Sequence, residues 1–168
     1  MQKKHAHISN ALCPVARSLD RVGEQWSMLI LRDAFYGATR FDQFQKGLGI
    51  ASNMLTRRLN TLVAEGLFER RQYSAHPPRY EYLLTARGHD FRPVLLTLLA
   101  WGSKHFSPEG TMLELVDQST GEVADPVLVD RVTGKTINEA EHVCVAGPAA
   151  SDGMKRRLAA RAGTVTTA

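Results

Sequence analysis

The chain has 168 residues, 43% of them apolar, two cysteines and a net charge of +4, a size and composition that suit one domain with a modest core plus an appendage. No apolar run approaches the roughly 18 residues of a membrane span, the opening segment has lysines but no secretory-type apolar stretch, and Cys13 and Cys144 are too few for a disulfide framework and too far apart in sequence for a metal knuckle, so a cytoplasmic protein without cofactor or metal is expected. Charge is divided unevenly: residues 1–106 hold 15 Lys and Arg against 8 Asp and Glu, and residues 107–168 hold 6 against 9, which directs attention to a phosphate polymer as partner of the first part.

In chain order, Pro14 suits the first turn of a helix that runs to Val22 and is ended by Gly23. A second helix starts near Glu24 and turns Trp26, Leu29, Ile30 and Ala34 inward, which makes Trp26 a core aromatic rather than a stacking platform. Phe41, Phe44 and Leu48 then recur at helical spacing, and Gly47 and Gly49 close the short helix into a tight turn.

Residues 51 to 65 form the next helical pattern. Leu55, Leu59, Leu62 and Val63 fall on one side and Asn53, Thr56, Arg57 and Asn60 on the other. The polar side carries amide, hydroxyl and guanidinium groups suited to base edges and phosphates, with no carboxylate before Glu65. The alternative is an ordinary solvated face. Gly66 closes the helix, residues 67–73 alternate with the period of a strand, and residues 79–84 form a second strand. The basic, proline-stiffened link Ser74-Ala75-His76-Pro77-Pro78 between them makes the pair a wing.

At this point the chain resembles the HxlR-type family of bacterial winged helix-turn-helix transcriptional regulators, relatives of the MarR-like regulators. The resemblance rests on Cys13-Pro14-Val15, Gly23-x-x-Trp26 with Leu29-Ile30-Leu31-Arg32, Arg40-Phe41-x-x-Phe44, Leu55-Thr56-x-Arg58-Leu59, Gly66-Leu67, Pro78-x-x-x-Tyr82-x-Leu84-Thr85-x-x-Gly88 and Trp101-Gly102, in that order over roughly residues 11 to 106. One departure is Ala51, where the family usually has Ser as helix N-cap, so the cap is either missing or supplied by Ser52.

After the wing, Thr85 caps a helix expected to continue through Phe91 to about Phe106, with Pro93 kinking it. Its stripe of Val94, Leu95, Leu98, Leu99 and Trp101 exceeds what one subunit usually buries on such a helix. The resemblance implies a homodimer joined by this helix and the N-terminal segment, so that two recognition helices meet successive major grooves of a pseudo-palindromic site.

Beyond residues 107–110 the pattern changes. Val116-Asp117-x-x-Thr120-Gly121 is echoed by Val129-Asp130-x-x-Thr133-Gly134, each reading as strand, turn, strand. The spacing resembles a zinc-ribbon knuckle whose sulfurs are replaced by poor zinc ligands, which makes residues 111–147 a small metal-free β module. Residues 148–168 are expected to fray or extend.

The fold class expected is α+β, mainly helical: a winged helix-turn-helix domain over residues 11–106 with a long C-terminal dimerisation helix, then the β module and the tail. The function expected is a transcriptional regulator, cytoplasmic and nucleoid-associated, that binds a double-stranded DNA operator as a homodimer and answers a small-molecule or redox signal. Asn53, Thr56, Arg57 and Asn60 are the candidate groove contacts, and Ser52 belongs with them to the candidate DNA-binding residues. Arg58 either grips phosphate or pairs within the domain, and His76 and Arg79 reach the adjacent minor groove or backbone. Arg70 and Arg71 point to opposite faces of their strand, so at most one touches DNA. Cys13, beside a helix N-terminus, is a candidate oxidant sensor, and the alternative is a small apolar side chain packing the first helix. The competing function is a winged helix used as a protein-interaction module. No nucleophile with a paired base and no Gly-rich phosphate loop suggests an enzyme.

Overall fold

The computed structural model describes residues 13–162. Helices α1 (Pro14–Val22), α2 (Gln25–Phe35), α3 (Phe41–Leu48) and α4 (Ser52–Ala64) are followed by strands β1 (Phe68–Ala75) and β2 (Pro78–Leu84), then α5 (Ala86–His89), α6 (Arg92–Phe106) and α7 (Asp152–Ala162). The expected mainly helical winged helix-turn-helix is present.

Local chemistry sets most of the boundaries. Pro14 occupies the first turn of α1, where its missing N–H costs nothing, and the Gly23 N–H closes the helix on the Leu19 carbonyl at 2.8 Å. A Cβ at Gly23 would stand 2.5 Å from that same oxygen, so only glycine fits. Glu24 caps α2 by accepting the Trp26 N–H, and Gln43 reaches back from α3 to accept the N–H groups of Thr39 and Arg40. The turn between α3 and α4 is made by Gly49 in the left-handed region, at φ 61°.

The core lies where the faces of these elements meet. Ile30 and Leu31 of α2, Phe44 of α3 and Leu55, Leu59 and Leu62 of α4 are fully buried, and Phe44 meets Phe68 of β1 edge to face at 6.3 Å. At roughly 1.5–3 kcal/mol for each large apolar side chain, this cluster dominates the stability of the domain and fixes which side of α4 looks outward. Trp26 packs against the core as a partly buried aromatic.

β1 and β2 form an antiparallel hairpin running in register from Phe68 opposite Leu84 to Ala75 opposite Pro78, with a bulge at Tyr73. Its base is clamped to the domain: the Tyr82 N–H donates to the Thr39 carbonyl at 2.7 Å, and Arg40 bridges Glu81 as a minimal third strand. Thr85 accepts the Gly88 N–H as N-cap of α5 and donates its hydroxyl to the Gly66 carbonyl. At Gly88, a Cβ would lie 2.3 Å from the Leu67 carbonyl.

The helix expected from Thr85 to Phe106 is two helices. Pro93 does not kink a continuous helix; it stands in the first turn of α6, after a break at Asp90 and Phe91. A continuous helix would need the Pro93 N–H on the His89 carbonyl, and proline has none, so the chain ends one helix and starts another.

Two compact units divide between Ala124 and Asp125, so the two copies of the Val-Asp-x-x-Thr-Gly repeat fall in different units. Both build the same turn. The Asp117 N–H donates to the Glu122 carbonyl and the Gly121 N–H to the Asp117 carbonyl, as Asp130 does with Lys135 and Gly134. Hydrogen bonds from the Ser119 hydroxyl and the backbone of Ser119 and Thr120 hold the Asp117 carboxyl below the usual range, and the Thr133 hydroxyl with the Val132 N–H does the same for Asp130. The carboxylates expected to be poor zinc ligands are thus committed to their own turns. The strands expected on either side shrink to single bridges, Val116 to Val123 and Val129 to Thr136. Val116, Val123 and Val129 remain 45%, 62% and 50% exposed, so no sheet face is buried that would extend the pairing. Within residues 148–168, expected to fray or extend, Asp152–Ala162 forms α7, a segment whose Lys, Arg, Leu and Ala residues are good helix formers; residues 163–168 lie outside the described part.

Candidate nucleic-acid interface

α4 is held from behind by Leu55, Leu59 and Leu62, and this leaves Ser52, Asn53, Thr56, Arg57 and Asn60 on the exposed side. No side-chain bond caps the helix at Ala51. Ser52 does not take over that role: its Oγ accepts from Gln45 Nε2 at 2.6 Å, a contact that ties α3 to the first turn of α4. Asn53 Oδ1 accepts the Met54 N–H, which leaves its NH₂ outward, and the Thr56 hydroxyl donates to the Ser52 carbonyl while keeping its lone pairs available. Among the described residues, the Arg57 and Asn60 side chains make no hydrogen bond or ion pair, so five guanidinium donors and one amide stand free on a surface raised by a rigid core.

Arg58 is turned away from that face. Its Nε lies 3.0 Å from Glu24 Oε2 and only 15% of its side chain is exposed, a proximity ion pair without a hydrogen bond at Nε. Of the two roles expected for Arg58, the geometry has pairing within the domain.

In the wing, His76 and Arg79 are exposed at the tip and have no side-chain partner among the described residues. Arg70 and Arg71 are both engaged: the Arg70 guanidinium stacks 3.6 Å from the Tyr80 ring centre, and Arg71 Nε donates to Glu81 Oε1 at 2.9 Å. Arg40 lies 4.7 Å from the ring centre of Tyr73, the bulged residue, so the hairpin is stiffened on both faces. Gln45 and Arg40 carry positioning contacts that periodicity could not mark, because one spans a turn and the other a strand bulge.

α6 has no fully buried residue. Val94, Leu98 and Trp101 are 48%, 45% and 53% exposed along one stripe, whereas Leu95 packs against the core. α1 adds Val15 and Leu19, also exposed and one turn apart. Cys13 is the half-buried N-cap residue of α1 and is a free thiol; Cys144 is free and exposed.

The model of the HxlR-like helix-turn-helix family matches residues 21–110. An uncharacterised HTH-type transcriptional regulator of Mycobacterium tuberculosis is 41% identical over 146 residues, 86% of this chain and 90% of its own length. Among solved structures, a proposed transcription factor from Pseudomonas aeruginosa is 49% identical, covers 87% of this chain and 100% of its own, and superposes with a TM-score of 0.61. The redox regulator HypR in its oxidised form is 34% identical over 55% of this chain and 97% of its own, with a TM-score of 0.52.

Proposed function

The chain belongs to the HxlR-like helix-turn-helix family of transcriptional regulators, and on that premise we propose that it binds a pseudo-palindromic duplex operator as a homodimer and responds to a redox or small-molecule signal. The observation that carries the reading is the exposed face of α4, where Arg57 and Asn60 stand without side-chain partners among the described residues, and Asn53 and Thr56 make only local contacts to the helix backbone, over three fully buried leucines. A helix so presented enters a major groove with its N-terminal half, Arg57 and Asn60 reading base edges and Ser52 and Arg79 touching phosphate. The open α4 N-terminus favours an anion there as well. Val94, Leu98 and Trp101 of α6, with Val15 and Leu19 of α1, supply the apolar stripe that a second subunit would cover. The likeness to HypR, which is described in oxidised and reduced forms, makes Cys13 the residue at which to seek a redox signal.

The test is selection of bound fragments from genomic DNA, followed by binding at several salt concentrations. A two-fold symmetric site, bound with an affinity that falls steeply as salt rises, is the expected result. Binding that is weak, equal on all sequences and shallow in salt would instead favour a protein partner for the winged helix.

A further inference from the structure

The register of the hairpin sorts its charges by face. Phe68, Arg70 and Gln72 of β1 stand opposite Leu84, Tyr82 and Tyr80 of β2 on one face, and Glu69 and Arg71 stand opposite Leu83 and Glu81 on the other. The first face packs on the core at its base, where Phe68 and Tyr82 are buried, and then runs outward with one arginine and no carboxylate. The second face carries two carboxylates, and Glu81 already accepts from Arg71 Nε at 2.9 Å. A phosphate approaching the second face would meet a neutralised guanidinium beside Glu69; on the first face it would meet Arg70 unopposed.

Arg70 is exposed and makes no hydrogen bond or ion pair among the described residues. What holds it is a ring: its guanidinium carbon lies 3.6 Å from the ring centre of Tyr80, in contact with the ring face. Tyr80 is not the residue opposite Arg70 but the one two places nearer the tip, opposite Gln72. The arginine side chain is therefore laid along the hairpin toward the tip, with its N–H donors unspent. Restraint of a long, rotamer-rich side chain beforehand lowers the entropy lost when an anion binds, and the planar fork of donors suits a phosphate held by two bonds. Arg79 alternates with Glu81 onto the other face. The two arginines thus leave the hairpin on opposite sides, where a wing lying in a groove meets two separate phosphate ridges.

We propose that Arg70 grips a backbone phosphate of duplex DNA on the opposite side of the wing from Arg79, and that Tyr80 is a positioning residue that holds the Arg70 guanidinium toward the tip. The proposal rests on the regulator reading and adds a further phosphate contact to each wing. Of the two arginines of β1, the one bound to a carboxylate stiffens the hairpin and the one bound to a ring stays available to DNA.

Binding of the full chain to a duplex of mixed sequence, about 40 base pairs long, is measured by fluorescence anisotropy from about 50 to 200 mM salt, because a phosphate contact carries no sequence information. Arg70→Gln should make the slope of log affinity against log salt shallower by roughly one for each subunit bound. Tyr80→Leu keeps every charge, so it should leave that slope in place and weaken binding about twofold to fivefold. Tyr80→Phe keeps the ring and should bind as wild type. In the Arg70→Gln background, Tyr80→Leu should change nothing further, a coupling that a merely structural tyrosine would not show. Should Arg70→Gln melt early, Arg70→Lys takes its place: it keeps the charge without the planar fork, so the slope should stay and the dependence on Tyr80 should go. An unchanged slope in Arg70→Gln, a Tyr80→Leu loss that persists without Arg70, or an equal loss in Tyr80→Phe would overturn the proposal. Those results leave the regulator reading standing, whereas a wild-type protein that ignores the duplex at every salt concentration ends both.

Discussion

Arg58 and Glu24 join α4 to α2, with Nε 3.0 Å from Oε2, and the same Glu24 oxygen accepts the Trp26 N–H that starts α2. One carboxylate therefore caps α2 and fixes α4 against it. Glu24→Ala removes the cap, worth about 1 kcal/mol, and leaves a mostly buried guanidinium unpaired. The expected outcome is a melting temperature lower by roughly 5–10 °C for a domain of this size. Arg58→Ala should likewise lower stability more than operator affinity at a temperature where both proteins are folded. If Arg58→Ala kept wild-type melting and lost operator binding, Arg58 would have to leave Glu24 for phosphate.

Arg57 is the opposite case, a guanidinium one position away that no side chain among the described residues holds. Arg57→Ala should weaken specific binding by roughly 1–3 kcal/mol and relax base preference at one position of each half-site. Arg79→Ala, at the wing tip, should weaken binding to all sequences alike and reduce the salt slope by about one. Competition titrations with scrambled sites separate the two. Unchanged affinity and preference in Arg57→Ala would refute the recognition-helix assignment.

The contrast between Arg57 and Arg58 marks how far the sequence can be read. Periodicity placed Leu55, Leu59 and Leu62 in the core because a helix has only one buried side, and the same arithmetic left Asn53, Thr56, Arg57 and Asn60 outside. It could not settle Arg58, which sits at the margin of the two faces, because its role depends on Glu24, 34 residues earlier in the chain. Pro93 was visible as a disturbance, but whether proline kinks or restarts a helix depends on the residues free to break before it, here Asp90 and Phe91. The Asp117 and Asp130 turns were legible in their Thr-Gly spacing. Their short flanks were not, since pairing extends only where a sheet face can be covered, and that is a tertiary property.

The proposed dimerisation can be separated from folding by two neighbouring leucines. Leu98 is 45% exposed, so Leu98→Glu should leave the subunit folded and shift sedimentation from dimer to monomer at micromolar concentration. Leu95 packs against the core, so Leu95→Glu should lower stability by several kcal/mol, about the cost of burying an unpaired charge. A wild-type protein that sediments as a monomer would remove the dimer from the proposal.

Ser27 offers a stability test unrelated to binding. Its Oγ is buried in α2 with no hydrogen-bond partner among the described residues. Relief of a desolvated hydroxyl makes Ser27→Ala stabilising by about 1 kcal/mol. Urea unfolding should show a higher midpoint at unchanged slope. A lower midpoint would mean that the hydroxyl has a partner in solution.

Cys13 combines three properties that bear on a redox signal. It is the N-cap residue of α1, it is half-buried rather than enclosed, and α1 is the helix whose exposed Val15 and Leu19 belong to the face proposed for the dimer. A thiol so placed can be reached by a small oxidant, and in a dimer it could meet its symmetry mate. Cys144 lies beyond the boundary at Asp125, in the other compact unit, so a partner within the helix-turn-helix unit is not available among the described residues. The expected outcome is that diamide or mild peroxide changes operator affinity and yields a cross-linked dimer that reductant reverses, and that Cys13→Ser abolishes both effects. The competing role, a small side chain packing the start of α1, predicts a different pattern: reaction with a thiol reagent only after unfolding, and Cys13→Ser costing stability without altering the response to oxidant. Labelling of the native protein decides first, because a thiol that a reagent cannot reach in the folded protein cannot serve as the sensor, whatever its position in the sequence.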